Sequence, residues 1–306
     1  MARYILKRFI YMMFTLFTVI TITFFMMHSV PGDPFSLSRE TPPEVRRNLE
    51  VKYGLDKPLI VQYFIYIKKV ISGDFGISMK YKGQSVMGKV KTAMPNSAAV
   101  GFGGVFIGCI IGILLGILAA LNRGRGFDYF VIIIAIVGVS VPSFVMGSLL
   151  QYFFGIKLNL FPVAGWNGLV YMILPIMAAS FQNVAFYARM LRANMLDVIN
   201  KDYIYTAMSK GLNNREIIQR HVLRNSILPL VTSLGPMCAG ILMGNFVIER
   251  IFNIPGIGQA FIVAIQNSDY TMIMGLTTIF SAITIFLYFV VDILYGFIDP
   301  RIRIYT

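Results

Sequence analysis

Few side chains in this sequence could do chemistry. There are two histidines, His28 and His221, and two cysteines, Cys109 and Cys238. Both cysteines sit inside apolar runs, so they offer neither a disulfide framework nor a metal-ligand spacing. No Gly-x-x-x-x-Gly-Lys-Ser/Thr stretch is present to cradle phosphates, and no His-Glu-x-x-His to bind zinc. Ser140, in Gly138-Val-Ser140, would suit a nucleophile for proteolysis inside a membrane, but it needs a base within hydrogen-bond reach. His28 belongs to the outer end of the first apolar run and His221 to a polar interval on the other side, so neither is a natural partner. The polar groups left at membrane depth are Gln182, Asn183, Asn245 and Asp292. The residues point to binding and passage, and the chain reads as a non-enzyme.

The elements that position these groups are apolar helices. Hydrophobic residues make up 57% of 306 positions and charged ones 13%, far from the balance of a soluble domain. The apolar residues are blocked into runs of about 20, the length that crosses roughly 30 Å of hydrocarbon. A net charge of +13 would point to nucleic acid in a soluble protein. Here the basic residues gather at the ends of the runs, as the positive-inside rule requires. Arg3, Lys7 and Arg8 precede residues 9–27, a run long for a signal-peptide core and followed by no small-x-small cleavage site. It is read as an uncleaved first span with a cytoplasmic N-terminus. Residues 31–95 then form an extracytoplasmic segment, rich in Lys and Arg but near the length at which the charge rule stops counting.

Five more spans follow, at about residues 96–121, 128–154, 168–190, 227–248 and 272–297, so both termini are expected inside. The expected fold class is an all-α polytopic membrane protein of six transmembrane helices. Gly104, Gly108, Gly112 and Gly116 recur every fourth residue and form a bare ridge for close helix packing, flexibility being the plainer alternative. Pro142 should bend the third span. Asp292, at the cytoplasmic end of the last span, should be paired at that depth, with Arg189 as a candidate partner. Gln182, Asn183 and Asn245 either join helices by hydrogen bonds or line a wet path that could bind peptide amides weakly.

The long polar interval of residues 201–224 carries helix punctuation. Gly211 suits the stop of one short helix. Asn213, with Glu216 three residues on, suits the start of another. A solvated connecting loop is the plain alternative. The stretch Thr206-Ala207-x-x-x-Gly211, followed by Ile217, His221, Leu223, Asn225 and Leu228-Pro229, resembles the cytoplasmic signature loop of importer-type ABC permeases. The resemblance is closest to the dipeptide/oligopeptide branch. It departs from the general signature in having Tyr205 and Thr206 where Glu and Ala are usual, and Arg224 where Pro is usual. Four further blocks resemble that branch: Pro31-Gly-Asp-Pro34, residues 53–78 of the outer segment, Phe252-x-x-Pro255-Gly-Ile-Gly258, and the ending Asp292 to Asp299-Pro-Arg301. Tyr288 stands where the family has Asn.

The resemblance implies a type I ABC importer permease fold in a bacterial cell membrane, with both termini cytoplasmic. Residues 1–30 hold the first span, 31–95 the outer segment, and 96–306 the core permease domain, with its coupling loop at 193–226. It further implies a second homologous permease (a heterodimer), two cytoplasmic ATPases and an extracytoplasmic binding protein as partners. ATP and magnesium would be held by the ATPases, with no cofactor in this chain. The residues expected at the ATPase contact are Tyr205, Thr206, Ala207, Lys210, Gly211, Leu212, Arg215 and Glu216. The cargo implied is a di- or oligopeptide, with nickel chelates and glutathione as alternatives in the same branch. An ion-coupled secondary transporter and an intramembrane protease are the readings from other classes.

Overall fold

The computed structural model describes residues 2–30, 43–241 and 245–298. The Pro31–Pro34 and Asp299–Arg301 motifs lie outside the described residues, as does the side chain of Cys238. The described elements are helical: α1 (Ala2–Ser29), α2 (Pro43–Tyr53), α3 (Leu59–Ile71), α4 (Val86–Leu121), α5 (Gly126–Ser140) and α6 (Ser143–Leu150). They continue as α7 (Val170–Ile199), α8 (Asp202–Ser209), α9 (Asn214–Glu216), α10 (Arg224–Ile241), α11 (Phe246–Ile251), α12 (Ile257–Gln266) and α13 (Tyr270–Ile298). Wider π-helical turns, Gln151–Lys157 and Ile217–Leu223, follow α6 and α9. No strand occurs among the described residues. One isolated antiparallel bridge joins Ile77 and Ser85.

Four single helices are long and apolar enough to cross a membrane, those beginning near Arg3, Val86, Val170 and Tyr270. The third expected span is a bent pair, turned by 107° between Gly126–Ser140 and Ser143–Lys157. Its cause is local. Pro142 lacks an N–H and its ring disfavours a helical residue before it. Val141 is accordingly extended, at φ −86 and ψ 119. The fifth expected span is helical over Arg224–Ile241, and helix resumes at Phe246 beyond residues 242–244, which are not described.

The chain divides into two compact units, Met1–Asn96 with Pro255–Thr306, and Ser97–Ile254. In the first, α1 packs along α13. Arg8 pairs with Asp292 at 2.8 Å, and the Tyr4 hydroxyl donates to the Asp292 carbonyl at 3.1 Å. The intramembrane carboxylate is therefore paired by the first helix, not by Arg189 as expected from the sequence. The two residues are 284 positions apart by number (292 − 8), a distance at which no local pattern could choose the partner. Helix α3 is tied to the same pair: Tyr63 meets Thr21 at 2.8 Å, Gln62 meets His28 at 3.1 Å, and Tyr66 meets Thr278 at 2.7 Å. The imidazole of His28 is thereby committed to a helix–helix bridge, its other nitrogen lying 2.8 Å from the Phe24 carbonyl.

Asp269 caps α13 and is buried. It accepts from the Ser78 hydroxyl, and from the Met79 and Met272 amides at 3.1 and 3.2 Å. The Tyr53 hydroxyl donates to the Ser78 carbonyl at 3.0 Å. Burial, and then the Asp269 carboxylate, push that phenol above its ordinary pKa. Two sequence blocks far apart, residues 53–78 and Asp269-Tyr270, thus make one knot over the buried cluster of Val86, Val90, Ile257 and Leu276.

Candidate functional site

Within the second unit, the glycine ridge of α4 runs along α7. A Cβ added to Gly104 would sit 2.7 Å from that of Ala179, and one on Gly112 would sit 2.7 Å from that of Tyr187. One on Gly116 would lie 2.8 Å from the Ala188 carbonyl, and one on Gly108 would press on Asn183. The opposing positions Ala179, Asn183 and Tyr187 also recur every fourth residue, so two i, i+4 ridges lie side by side. Without a hydrophobic drive between helices in lipid, such backbone approach is what holds spans together.

Helix α7 is also fixed against α5. Arg192 donates from Nε and Nη2 to the two carboxylate oxygens of Asp128, at 2.5 and 2.8 Å. The Gly124 amide donates to the same carboxylate at 2.9 Å. Asp128 is buried, so this fork is a geometric lock of the kind that two-pronged guanidinium pairs make. Sequence reading missed it. The only signal was a charge at each of two span ends that alternation puts on the same side.

The far end of α7 leads into the polar elbow. Helix α8 ends with the Gly211 amide donating to the Met208 carbonyl at 2.9 Å and the Leu212 amide to the Ala207 carbonyl at 3.4 Å. Gly211 has φ +79, the left-handed conformation open to glycine at little cost. Together these make a Schellman cap, with Leu212 and Ala207 both in the adjoining apolar cluster. Asn213 then opens α9. Its side chain accepts from the Glu216 amide at 2.9 Å, while its own amide donates to the Glu216 carboxylate at 3.3 Å. The reciprocal cap expected from the sequence is present.

The elbow has two faces. Ile204, Ile217 and Val222 are buried with Leu191 and Met195 of α7, each burial being worth about 1.5–3 kcal/mol where the alternative is water. Ala207, at 5% exposure, belongs to this inner face, and Leu212 is half-buried. Ala207, expected at the ATPase contact from the sequence, lies on the packed side of α8, because a spacing of three puts it on the same face as Ile204. Facing out are Tyr205, 55% exposed, with Thr206, Lys210, Gly211 and Arg215; Glu216 is half-buried in its cap.

The three amides singled out at membrane depth come together. Gln182, Asn183 and Asn245 line one cavity of about 290 Å³, with Ser97, Gly101 and Phe246 among its other walls. Asn183 donates to the Ala179 carbonyl at 3.1 Å, and the Asn245 side chain caps α11 by accepting from the Ile248 amide at 3.3 Å. Ser97 of this wall donates to Glu249 at 2.6 Å, both buried. The sequence marked Glu249 only as a residue following a span. Among the described residues no group of three or more His, Cys, Asp or Glu side chains is placed to hold a metal.

Residues 112–304 match the family model of the binding-protein-dependent transport system inner membrane component, and residues 1–92 match that of its N-terminal part. The chain belongs to this family. It is thus a permease subunit of an ABC transporter, a multi-pass inner membrane protein with the type I importer permease fold. The permease is 43% identical over 305 residues to the dipeptide transport system permease protein DppB of Bacillus subtilis (strain 168), covering 100% of this chain and 99% of that one. It is 44% identical over 305 residues to the oligopeptide transport system permease protein OppB of Escherichia coli (strain K12), covering 99% and 100%. The OppB protein of Haemophilus influenzae is 42% identical over 305 residues, again covering 99% and 100%. The model for residues 112–304 takes in the elbow and most of the permease's cavity wall, and leaves out Ser97, Val100, Gly101 and Val105.

Proposed function

We propose that the permease carries peptides, forming half of a pathway that opens alternately to the two sides of the membrane. What supports the cargo is the identity to dipeptide and oligopeptide permeases, 43% and 44% over essentially whole chains. In this reading a homologous permease supplies the other half of the pathway, and an extracytoplasmic binding protein delivers the peptide. Two cytoplasmic ATPases hold ATP and magnesium and close on the elbow. Both termini and residues 193–226 face the cytoplasm, and residues 31–95 face outside.

The chain's own residues have defined parts. Tyr205, Thr206, Lys210, Gly211, Arg215 and Glu216 form the outward face that an ATPase groove can grip, with Leu212 at its edge. Ala207 anchors that face to α7 through the buried cluster. The glycine ridge and the Asp128–Arg192 fork make α7 a rigid member, so a push on the elbow reaches Gln182 and Asn183 on the same helix. Their amides offer donors and acceptors to a peptide backbone without regard to side-chain sequence. Tight grip is unnecessary where a separate protein supplies affinity.

The test is reconstitution of the permease in proteoliposomes with its partner permease, ATPases and binding protein. Peptide should accumulate only with ATP and only with the binding protein present. Uptake driven by an ion gradient without ATP, or labelling of Lys210 from the outer surface of cells, would overturn the reading.

A further inference from the structure

The Lys- and Arg-rich segment of residues 31–95 runs against the positive-inside bias, and nothing in peptide passage uses its cations. Part of that charge sits on α3, a helix with no fully buried residue. Its inner face is polar and aromatic: Gln62, Tyr63 and Tyr66 bond it to α1 and α13. Its outer face is apolar. Ile60, Phe64 and Ile71 share one side at helical spacing and are 57%, 65% and 82% exposed, with Ile67 half-buried among them. A helix turned to water would carry charge on that side instead.

Depth decides what meets the stripe. The Tyr63 hydroxyl touches Thr21, six residues inside the end of the first apolar run at Met27 (27 − 21). The Tyr66 hydroxyl touches Thr278, six residues past the start of the last span at Met272 (278 − 272). At 1.5 Å per residue both anchors lie about 9 Å below the edge of the apolar layer, within the roughly 5–10 Å to which interfacial helices sink. Close to Tyr63, the exposed Ile22 and Met26 of α1 border a shallow groove of about 530 Å³. Lys68 and Lys69 lie on the flank of α3 between its two faces, both exposed and neither in an ion pair among the described residues. Lys69 and Lys52 of α2 line one cavity of about 250 Å³, whose walls include Phe24, Tyr66 and Met274. Asp74 lines it too, with its carboxylate accepting from the Gly76 amide at 2.9 Å, so the lysines outnumber the acid there. An apolar stripe at acyl depth, edged by cations, is complementary to a lipid that carries negative charge on its headgroup.

We propose that α3 is a docking site for an anionic phospholipid of the leaflet at the C-terminal end of α1, with acyl chains on Ile60, Phe64 and Ile71 and the headgroup at Lys68 and Lys69. In the proposed orientation of the permease this is the outer leaflet. The lipid holds the outer segment against the bilayer.

The experiment places the assembled transporter, without its binding protein, in nanodiscs of dioleoylphosphatidylcholine. These are doped with a diazirine-acyl lipid, either phosphatidylglycerol or phosphatidylcholine, and crosslinks are mapped by peptide mass spectrometry. A nanodisc offers both leaflets alike, so the outcome is independent of which side faces out, which the Lys210 labelling tests separately. A lysine beside an anionic surface favours it about fivefold, so phosphatidylglycerol should label residues 59–71 at least about fivefold more than phosphatidylcholine. The double change Lys68→Gln with Lys69→Gln should bring that ratio to within twofold of one, with labelling by phosphatidylcholine unchanged. Phe64→Asp should lower labelling by both lipids. Absence of crosslinks at residues 59–71 in the wild type overturns the proposal, since a protein subunit then covers the stripe. So does a wild-type ratio near one, or a lysine variant that keeps the wild-type ratio. Should Phe64→Asp not assemble, the lysine variant decides alone, because its two side chains are exposed and replacing them leaves the packed face of α3 untouched.

Discussion

Substituting Gly211 isolates the elbow's backbone from everything around it. A Cβ built at this position meets no heavy atom within 4 Å, so a side chain causes no collision and the cost is conformational. An L-residue held at φ +79 is strained by about 1–2 kcal/mol, and a β-branched one by more. The other course is for the cap to open, losing the Gly211–Met208 and Leu212–Ala207 bonds at about 0.5–1.5 kcal/mol each. Either way Gly211→Val shifts the balance against the bent elbow by about 2 kcal/mol, roughly a factor of 30 in population. Asn tolerates the left-handed region best among residues with a Cβ, so Gly211→Asn should retain most of the bend. The assay is the number of peptides accumulated per ATP hydrolysed in proteoliposomes, at matched amounts of assembled complex. The ratio should fall about tenfold or more in Gly211→Val, less in Gly211→Ala, and least in Gly211→Asn. Wild-type coupling in Gly211→Val would refute the reasoning. Equal damage from Val and Asn would refute it too, since bulk rather than backbone conformation would then be at work.

Gly112→Ala should loosen the α4–α7 contact, because its Cβ would lie 2.9 Å from the Val184 carbonyl as well as against Tyr187; a fall of several degrees in melting temperature is expected, with Ile111→Ala at an exposed position as the silent control. Arg192→Met strands the buried Asp128 carboxylate and should cost about 3–5 kcal/mol, seen as loss of assembled protein, while the double change Arg192→Met with Asp128→Leu should recover much of it. Asp269→Ala removes the acceptor of the Ser78, Met79 and Met272 donors at the cap of α13 and should cost about 2–4 kcal/mol, read as faster proteolysis within residues 72–85. Asn213→Ala deletes one half of the reciprocal cap and should cost about 1 kcal/mol, lowering coupling far less than Gly211→Val.

What was legible without coordinates is what depends on near neighbours along the chain. Apolar runs long enough to cross a bilayer declare themselves by length, and Gly211 and Asn213-x-x-Glu216 declare a stop and a start because caps are built from residues three or four apart. The four-residue spacing of Gly104 to Gly116 marked a bare helix face. What covered that face, α7 at Ala179, Asn183 and Tyr187, came only with the fold. The 107° turn at Val141–Pro142 was half visible, since proline breaks a helix, but the angle depends on the packing of Gly147 and Gln151 against Phe252 and Ile251. Partners were invisible. Arg192 and Asp128 lie 64 residues apart, and Ser97 and Glu249 lie 152 apart. Period and composition say that a buried charge must be paired, but electrostatics does not say by which of several distant groups; helix packing makes that choice. The same holds for the cavity, where Gln182 and Asn183 were adjacent in sequence but Asn245 reached them only through the tertiary arrangement. Composition and local spacing determined that this protein is a set of membrane helices with a capped polar elbow. Tertiary structure decided which faces meet, because hydrogen bonds and close packing act over a few ångströms in space regardless of separation along the chain.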